Sequence, residues 1–193
     1  MGILRFFGVD KGPQKMEAAV VSANAVNLER LVEVYGPEEI LPDYTECLNS
    51  ISRDLKKAGG RVAGASGAGV VFFFPSDEKG RFAETACRAA FTIRRHLDGL
   101  NTENGRLGIV ELRSIVGVNV GEIDVEKERA SGEAIDVAAQ VMSACDPLSE
   151  EVIVSQSVFR LLDKDKAYLK VKEALGQQTS LLPPVYSLLH ISE

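Results

Sequence analysis

The sequence has no tryptophan, two histidines (His96 and His190) and three cysteines (Cys47, Cys87 and Cys145) in 193 residues. The cysteines are odd in number, far apart and never arranged as Cys-x-x-Cys. A zinc site or a disulfide framework therefore has no ligand set to build on, and a reducing, cytoplasmic setting fits best. Each cysteine reads as a small buried apolar group. No serine or cysteine arrangement surrounds either histidine, so both read as surface or packing residues. No apolar run approaches the ~20 residues a membrane span requires, and no transmembrane segment is expected. The start, Met1 to Gly8, lacks the apolar core and small-residue cleavage site of a secretory signal. Basic charge is also scarce, with 22 Lys and Arg against 28 Asp and Glu and a net charge of -6. That balance argues against nucleic acid as a partner, because phosphates call for a basic face.

What is present is an ordinary globular composition, 45% hydrophobic and 26% charged. The length suits one domain with a sizeable core. Residues 1–16 read as an apolar and basic tail and 17–193 as a single domain. In the tail, Ile3, Leu4, Phe6 and Phe7 stand close together before Gly12-Pro13, with Arg5 and Lys11 as the nearby cations. Such a segment either folds back on its own domain or makes a peripheral contact with a membrane or a protein.

Glu17 to Ala23 is a short apolar, partly β-branched run and predicts a first strand. Asn27 predicts a cap for a helix carrying Leu28, Leu31, Val32 and Tyr35. Gly36-Pro37 ends it, and a longer helix with Tyr44, Leu48, Ile51 and Leu55 follows, with Pro37 or Pro42 in its first turn. Gly59-Gly60 stops that helix. Two strands flank the hairpin Ser66-Gly67-Ala68-Gly69, and Val70 to Phe74 is apolar throughout, as a strand covered on both faces is. Phe82 to Leu97 has helical spacing, 98–108 reads as a surface loop, and Leu112 to Val120 as a strand. Glu122 to Arg129 carries six charges in eight residues and reads as an exposed hairpin. A helix from about Gly132 to Ala144, a strand at Val152 to Val154, a helical turn capped by Ser157, and strands at Tyr168 to Val171 and Val185 to Leu189 complete the chain. The sum is an α+β fold, a ferredoxin-like βαββαβ sandwich with its sheet covered by helices.

Three motifs invite functional readings that the spacing does not support. Gly64 to Gly69 lacks the Gly-Lys-Ser/Thr ending of a phosphate loop and precedes a strand instead of a helix, so a tight hairpin of small residues fits better. Glu122, Asp124, Glu126 and Glu128 lack the glycine and spacing of a calcium loop. Phe72 to Phe74 reads as core.

The ordered framework resembles bacterial class III adenylyl and guanylyl cyclase domains. Gly36-Pro37-Glu38-Glu39, the long helix and Gly59-Gly60-Arg61-Val62 resemble the family's opening. Gly67-Ala68-Gly69 with Val70 to Phe74 resembles its Gly-Asp-Gly hairpin and apolar strand. Val116-Gly117-Val118-Asn119-Val120-Gly121 resembles its Gly-Ile-Asn-Thr-Gly strand, and Gly132 to Gln140 its Gly-Asp-Ala-Val-Asn-Leu-Ala-Ala-Arg helix. Val152 to Ser155 and Pro184 to Leu188 resemble its closing strands. The resemblance implies a site that uses magnesium or manganese with ATP or GTP and is shared between two subunits. It also implies which positions would do the chemistry, and all six depart. The metal-binding aspartates fall at Asn24 and Ala68, the base-selecting pair at Gly64 and Arg129, the ribose-positioning asparagine at Asp136 and the phosphate-stabilising arginine at Gln140. Hard divalent metals need charged oxygen ligands. Removing the cation forfeits charge-assisted bonds of about 1.5–3 kcal/mol, and Asp136 adds an anion where a triphosphate would lie.

The resemblance thus implies a degenerate, catalytically inactive domain that acts in signalling, regulation or scaffolding as a homodimer or heterodimer, with no cofactor expected. Two alternatives stay open. One is a nucleotide cyclase with a non-standard site, in which Asp136, Glu133 and Asn24 serve as ligands. The other is a sensor that binds a nucleotide or small ligand without chemistry.

Overall fold

A computed structural model describes residues 13–66, 68–106, 108–127, 129–149, 152–163, 167–171 and 184–191. The tail residues Ile3, Leu4, Phe6 and Phe7, and Glu128 of the charged run, lie outside these described residues. The chain runs β1 (Gln14–Ala25), α1 (Leu28–Tyr35), α2 (Pro37–Lys57), β2 (Arg61–Ser66), β3 (Gly69–Pro75), α3 (Phe82–Arg106), β4 (Ser114–Glu126), β5 (Arg129–Ser131), α4 (Glu133–Ser143), β6 (Val152–Ser155), α5 (Gln156–Leu161), β7 (Ala167–Val171) and β8 (Val185–Ile191). The strands form one sheet in the order β2-β3-β1-β4-β6-β8-β7, with β5 paired to the end of β4. Its first four strands, β4-β1-β3-β2, are antiparallel neighbours. Their connections make the expected βαββαβ unit. β6 then joins β4 in parallel, and β8 and β7 extend the far side.

Alternation along β1 separates the two faces of the sheet. Ala19, Val21 and Ala23 pack with Phe72 and Phe74 of β3 beneath α1, α2, α3 and α5, in a core that includes Ile51, Leu55, Ile93 and Val158. Ala18 and Val20 face the other way, with Phe73, Ile123 and the α4 residues Ala134 and Ala138. Ile115, Ile153 and Val141 continue that second layer. Coverage is unequal, because α4 lies over β1, β4 and β6, whereas β2 is flanked on the α4 side by β5. Asn119, buried in β4, donates from Nδ2 to the Ala134 carbonyl at 3.1 Å and ties the start of α4 to the sheet.

Several local readings change. β1 begins at Gln14, inside the segment read as tail, because Gln14 to Glu17 pair with Glu122 to Val125 of a β4 that runs well past Val120. The charged run is indeed a hairpin, built from the end of β4 and β5, with the exposed pair Lys15–Glu122 at 2.7 Å. Residues 98–106, read as loop, are the end of α3. Leu100 is buried there, and the Asn101 amide bonds the backbone of Leu112 in both directions, at 3.0 and 2.8 Å. Tertiary contact thus overrides the weak helix propensity of that stretch. Asn27 makes no capping bond; its side chain spans Glu111 O and Arg113 N instead. Ser155, not Ser157, caps α5 through the Val158 amide at 3.4 Å. Pro37 occupies the first turn of α2, and Pro42 lies within the helix. Gly59 closes α2 with a φ of 91°, a conformation that glycine alone adopts without strain.

The three cysteines are buried and form no disulfide. Burial pushes the Cys47 thiol up to about 11 and Cys87 higher still. His96 pairs through Nε2 with Asp54 Oδ2 at 3.0 Å, joining α3 to α2. Among the described residues, no helix is long and apolar enough to cross a membrane.

Candidate functional site

β1 and the β2–β3 hairpin bring Asn24 and Ala68 together. Asn24 is the register partner of Gly69, and the Ala25 amide donates to the Ala68 carbonyl at 3.0 Å. That carbonyl also accepts the Tyr44 hydroxyl at 2.9 Å, so both of its lone pairs are engaged. Burial holds the Tyr44 phenol neutral, with its pKa pushed up to about 12. The Ala68 methyl packs against the large core, while Asn24 is half-buried on the α4 side of the sheet. The donor set between the two positions is thus one neutral carboxamide. A clamp for two divalent cations needs charged oxygens, and these residues do not fit one. Among the described residues, no group of three or more His, Cys, Asp or Glu is placed to hold a metal ion.

The positions Gly64 and Arg129 also come together, at a cleft of about 750 Å³ between β2, the end of α2 and the β4–β5 hairpin. Its apolar floor includes Val62, Ala63 and Phe73. A volume of this order lies within the range of small-molecule sites, about 300–1,000 Å³. Gly64 follows a bulge in the β2–β3 pairing, and a Cβ added to it would meet nothing within 4 Å. The cleft is therefore open where a lysine would project.

Asp136 and Gln140 stand one turn apart on the exposed face of α4, whose opposite face buries Ala134, Ala138 and Val141. Asp136 lies in the first turn, where the helix dipole favours an anion. Neither residue lines the cleft, and neither do Asn24 or Ala68. Within one chain the six positions therefore fall into a strand-end pair, a cleft pair and a helix pair.

The cations Lys56, Arg61 and Lys127 are the residues that sequence reasoning passed over. With Arg129 they line the cleft. They are scattered along the chain, and only the packing of β2 against β5 gathers them.

No protein-family model and no curated protein matches the chain. Solved structures do. The adenylyl cyclase CyaB from P. aeruginosa aligns with a TM-score of 0.79 and 20% identity over 92% of this chain and 95% of its own. The guanylyl cyclase Cya2 aligns with a TM-score of 0.79 and 15% identity over 94% of this chain and 96% of its own. A non-canonical dimeric guanylyl cyclase domain of the RhoGC fusion protein from the aquatic fungus Blastocladiella emersonii aligns with a TM-score of 0.72 and 13% identity, covering 93% and 99%. At these identities the likeness establishes the fold. The chain has the architecture of a class III nucleotide cyclase domain, over nearly its whole length.

Proposed function

We propose that this domain makes no cyclic nucleotide and serves as a signalling, regulatory or scaffolding module by pairing, with a second copy or with another cyclase-fold domain. The observation that carries the reading is the junction of β1 with the β2–β3 hairpin, where Asn24 and Ala68 adjoin without a charged oxygen between them. Gln140, in the place that the resemblance gives to a cation, and Asp136 on the same helix face would leave a developing phosphate charge unsupported. Pairing is supported by the division of the six positions over separate surfaces of one chain and by the unequal cover of the α4 side of the sheet. No metal or nucleotide cofactor is expected to act in turnover.

The test is a cyclase assay with manganese and ATP or GTP, run beside a sedimentation measurement of mass. The expected result is no cyclic product above the protein-free blank, and an assembly larger than one chain or a stable pair with a cyclase-fold partner. Sustained turnover that disappears in Asp136→Ala would contradict the inactive reading. A chain that stays monomeric and captures no such partner would contradict the pairing.

A further inference from the structure

At the other end of β4 from the cleft lies a second cavity, of about 590 Å³. It opens between the C-terminal half of α3, the segment 110–114 that leads into β4, and the turn at 147–149. Side chains hold 110–113 in place where strand pairing does not. The Val110 amide donates to the Tyr35 hydroxyl at 3.1 Å, and the Asn101 amide bonds Leu112 in both directions. Asn27 spans Glu111 O and Arg113 N at 3.0 and 2.6 Å, and the Val26 amide donates to the Arg113 carbonyl at 2.9 Å. These bonds alternate in side, Leu112 toward α3 and its neighbours toward Asn27, as in an extended chain. Leu112 is accordingly buried, while Glu111 and Arg113 are exposed on one face, about 7 Å apart along the chain. Neither makes an ion pair among the described residues. Backbone fixed this firmly presents its charges without further ordering when a ligand arrives.

Across from them Arg94, only 8% exposed, lines the cavity from α3. Its Nη2 donates to Cys145 Sγ at 3.4 Å, a weak acceptor that orients the guanidinium and adds no negative charge. Asp98, one turn along α3, brings a carboxylate to the same wall. Val110 and Leu148 stand at the rim, 56% and 74% exposed. The lining thus holds two guanidinium groups, two carboxylates and an apolar rim. A simple anion would be drawn to the first pair and repelled by the second, and a simple cation the reverse. The geometry points to a binding site for a small zwitterion with an apolar body, of the class of an α-amino acid with a bulky side chain. Its carboxylate would lie on Arg94 and Arg113, which suit paired hydrogen bonds to carboxylate oxygens. Its ammonium would face Asp98 and Glu111, and its side chain would cover Val110 and Leu148. The volume is within the range of small-molecule sites. None of these residues is among the six cyclase positions, so the inference rests on neither the inactivity nor the pairing of the domain.

Titration of the isotope-labelled full chain with L-leucine and L-phenylalanine, followed by the NMR shifts of the backbone amides, tests it. Saturable shifts are expected at 110–114 and at Leu148 and Ser149. Three analogues of leucine each lack one feature: 4-methylpentanoate the ammonium, 3-methylbutylamine the carboxylate and glycine the apolar side chain. The first two should bind about 10- to 100-fold more weakly than leucine, as the loss of charge-assisted contacts implies, and glycine should also be weaker. The exposed variants Glu111→Gln and Arg113→Gln keep the backbone groups that Asn27 holds, so the segment should stay in place. Glu111→Gln should weaken leucine and leave 4-methylpentanoate no weaker. Arg113→Gln should weaken leucine and leave 3-methylbutylamine no weaker. A variant that merely misfolds would weaken every ligand alike, and circular dichroism would show it. No saturable binding of either amino acid at millimolar concentration, shifts confined to other regions, or binding that both variants leave unchanged would overturn the assignment. So would an analogue of single charge that binds as well as leucine, which would make the site one for a simple anion or cation.

Discussion

Phe72→Ala should lower the free energy of unfolding by about 3–5 kcal/mol, the usual cost of truncating a fully buried phenylalanine. Phe72 is 0% exposed and lies opposite Val21 of β1 and Val62 of β2 at the centre of the antiparallel unit. Its ring belongs to the core shared with Ile51, Leu55 and Ile93, which is formed by α2 and α3 together. A cavity there removes contacts from both helices at once, and neither can move in to fill it without leaving the other. Set against a typical total of about 5–15 kcal/mol, the loss is large enough to unfold part of the population at 37 °C. Urea unfolding followed by circular dichroism reads it. The midpoint should fall while the slope is unchanged, because the surface exposed on unfolding barely changes.

Gly117→Ala is the opposite experiment, adding a single methyl instead of removing a ring. A Cβ at Gly117 would stand 2.4 Å from the Met142 amide nitrogen and 2.5 Å from its Cα. Both are backbone atoms of α4, so no rotamer change relieves the clash. The helix must back away from β4 by about 1 Å to restore an ordinary contact of 3.4 Å. Overpacking of this kind costs about 1–3 kcal/mol, and it loosens the seat of Ala134, Ala138 and Val141. Gly64→Ala is the matched control. A Cβ there meets nothing within 4 Å, and the strand gains a residue with less freedom to lose, so stability should hold or rise slightly. Equal losses for the two substitutions would mean that α4 is not seated on Gly117.

The framework was legible in the sequence because packing leaves periodic traces. The apolar run Val70 to Phe74, the spacing of Phe82, Ala86, Ala90 and Ile93, and the order of strands and helices are direct consequences of a sheet with covered faces. The misread stretches are those in which a distant partner decides. Residues 98–106 carry few apolar side chains, and it is the Asn101 contact with Leu112 that keeps them helical. Gln14 to Met16 has no strand signature of its own and is drawn into the sheet by the long arm of β4. Asn27 had the right residue type for a cap, but two backbone groups at Glu111 and Arg113 compete for it.

The candidate site was legible by a different route. Asn24 and Ala68 stood out only against a resemblance, since neither residue has chemistry of its own to notice. The structure then put them next to each other, as it put Gly64 beside Arg129. The cationic lining of the cleft could not be read beforehand. Lys56, Arg61 and Lys127 belong to different elements, and in a chain of net charge -6 a local positive field leaves no mark on composition. Charge distribution, unlike burial, has no period.

The most direct test of the central claim, that the junction of β1 and the β2–β3 hairpin cannot hold the metals of cyclase chemistry, is position-specific. Crystals grown with manganese and a non-hydrolysable nucleotide, measured at the manganese absorption edge, would show where the ion sits. The account predicts no anomalous peak within coordinating distance of Asn24 or the Ala68 carbonyl. One or two ordered manganese ions bound there, bridging to the phosphates, would contradict it.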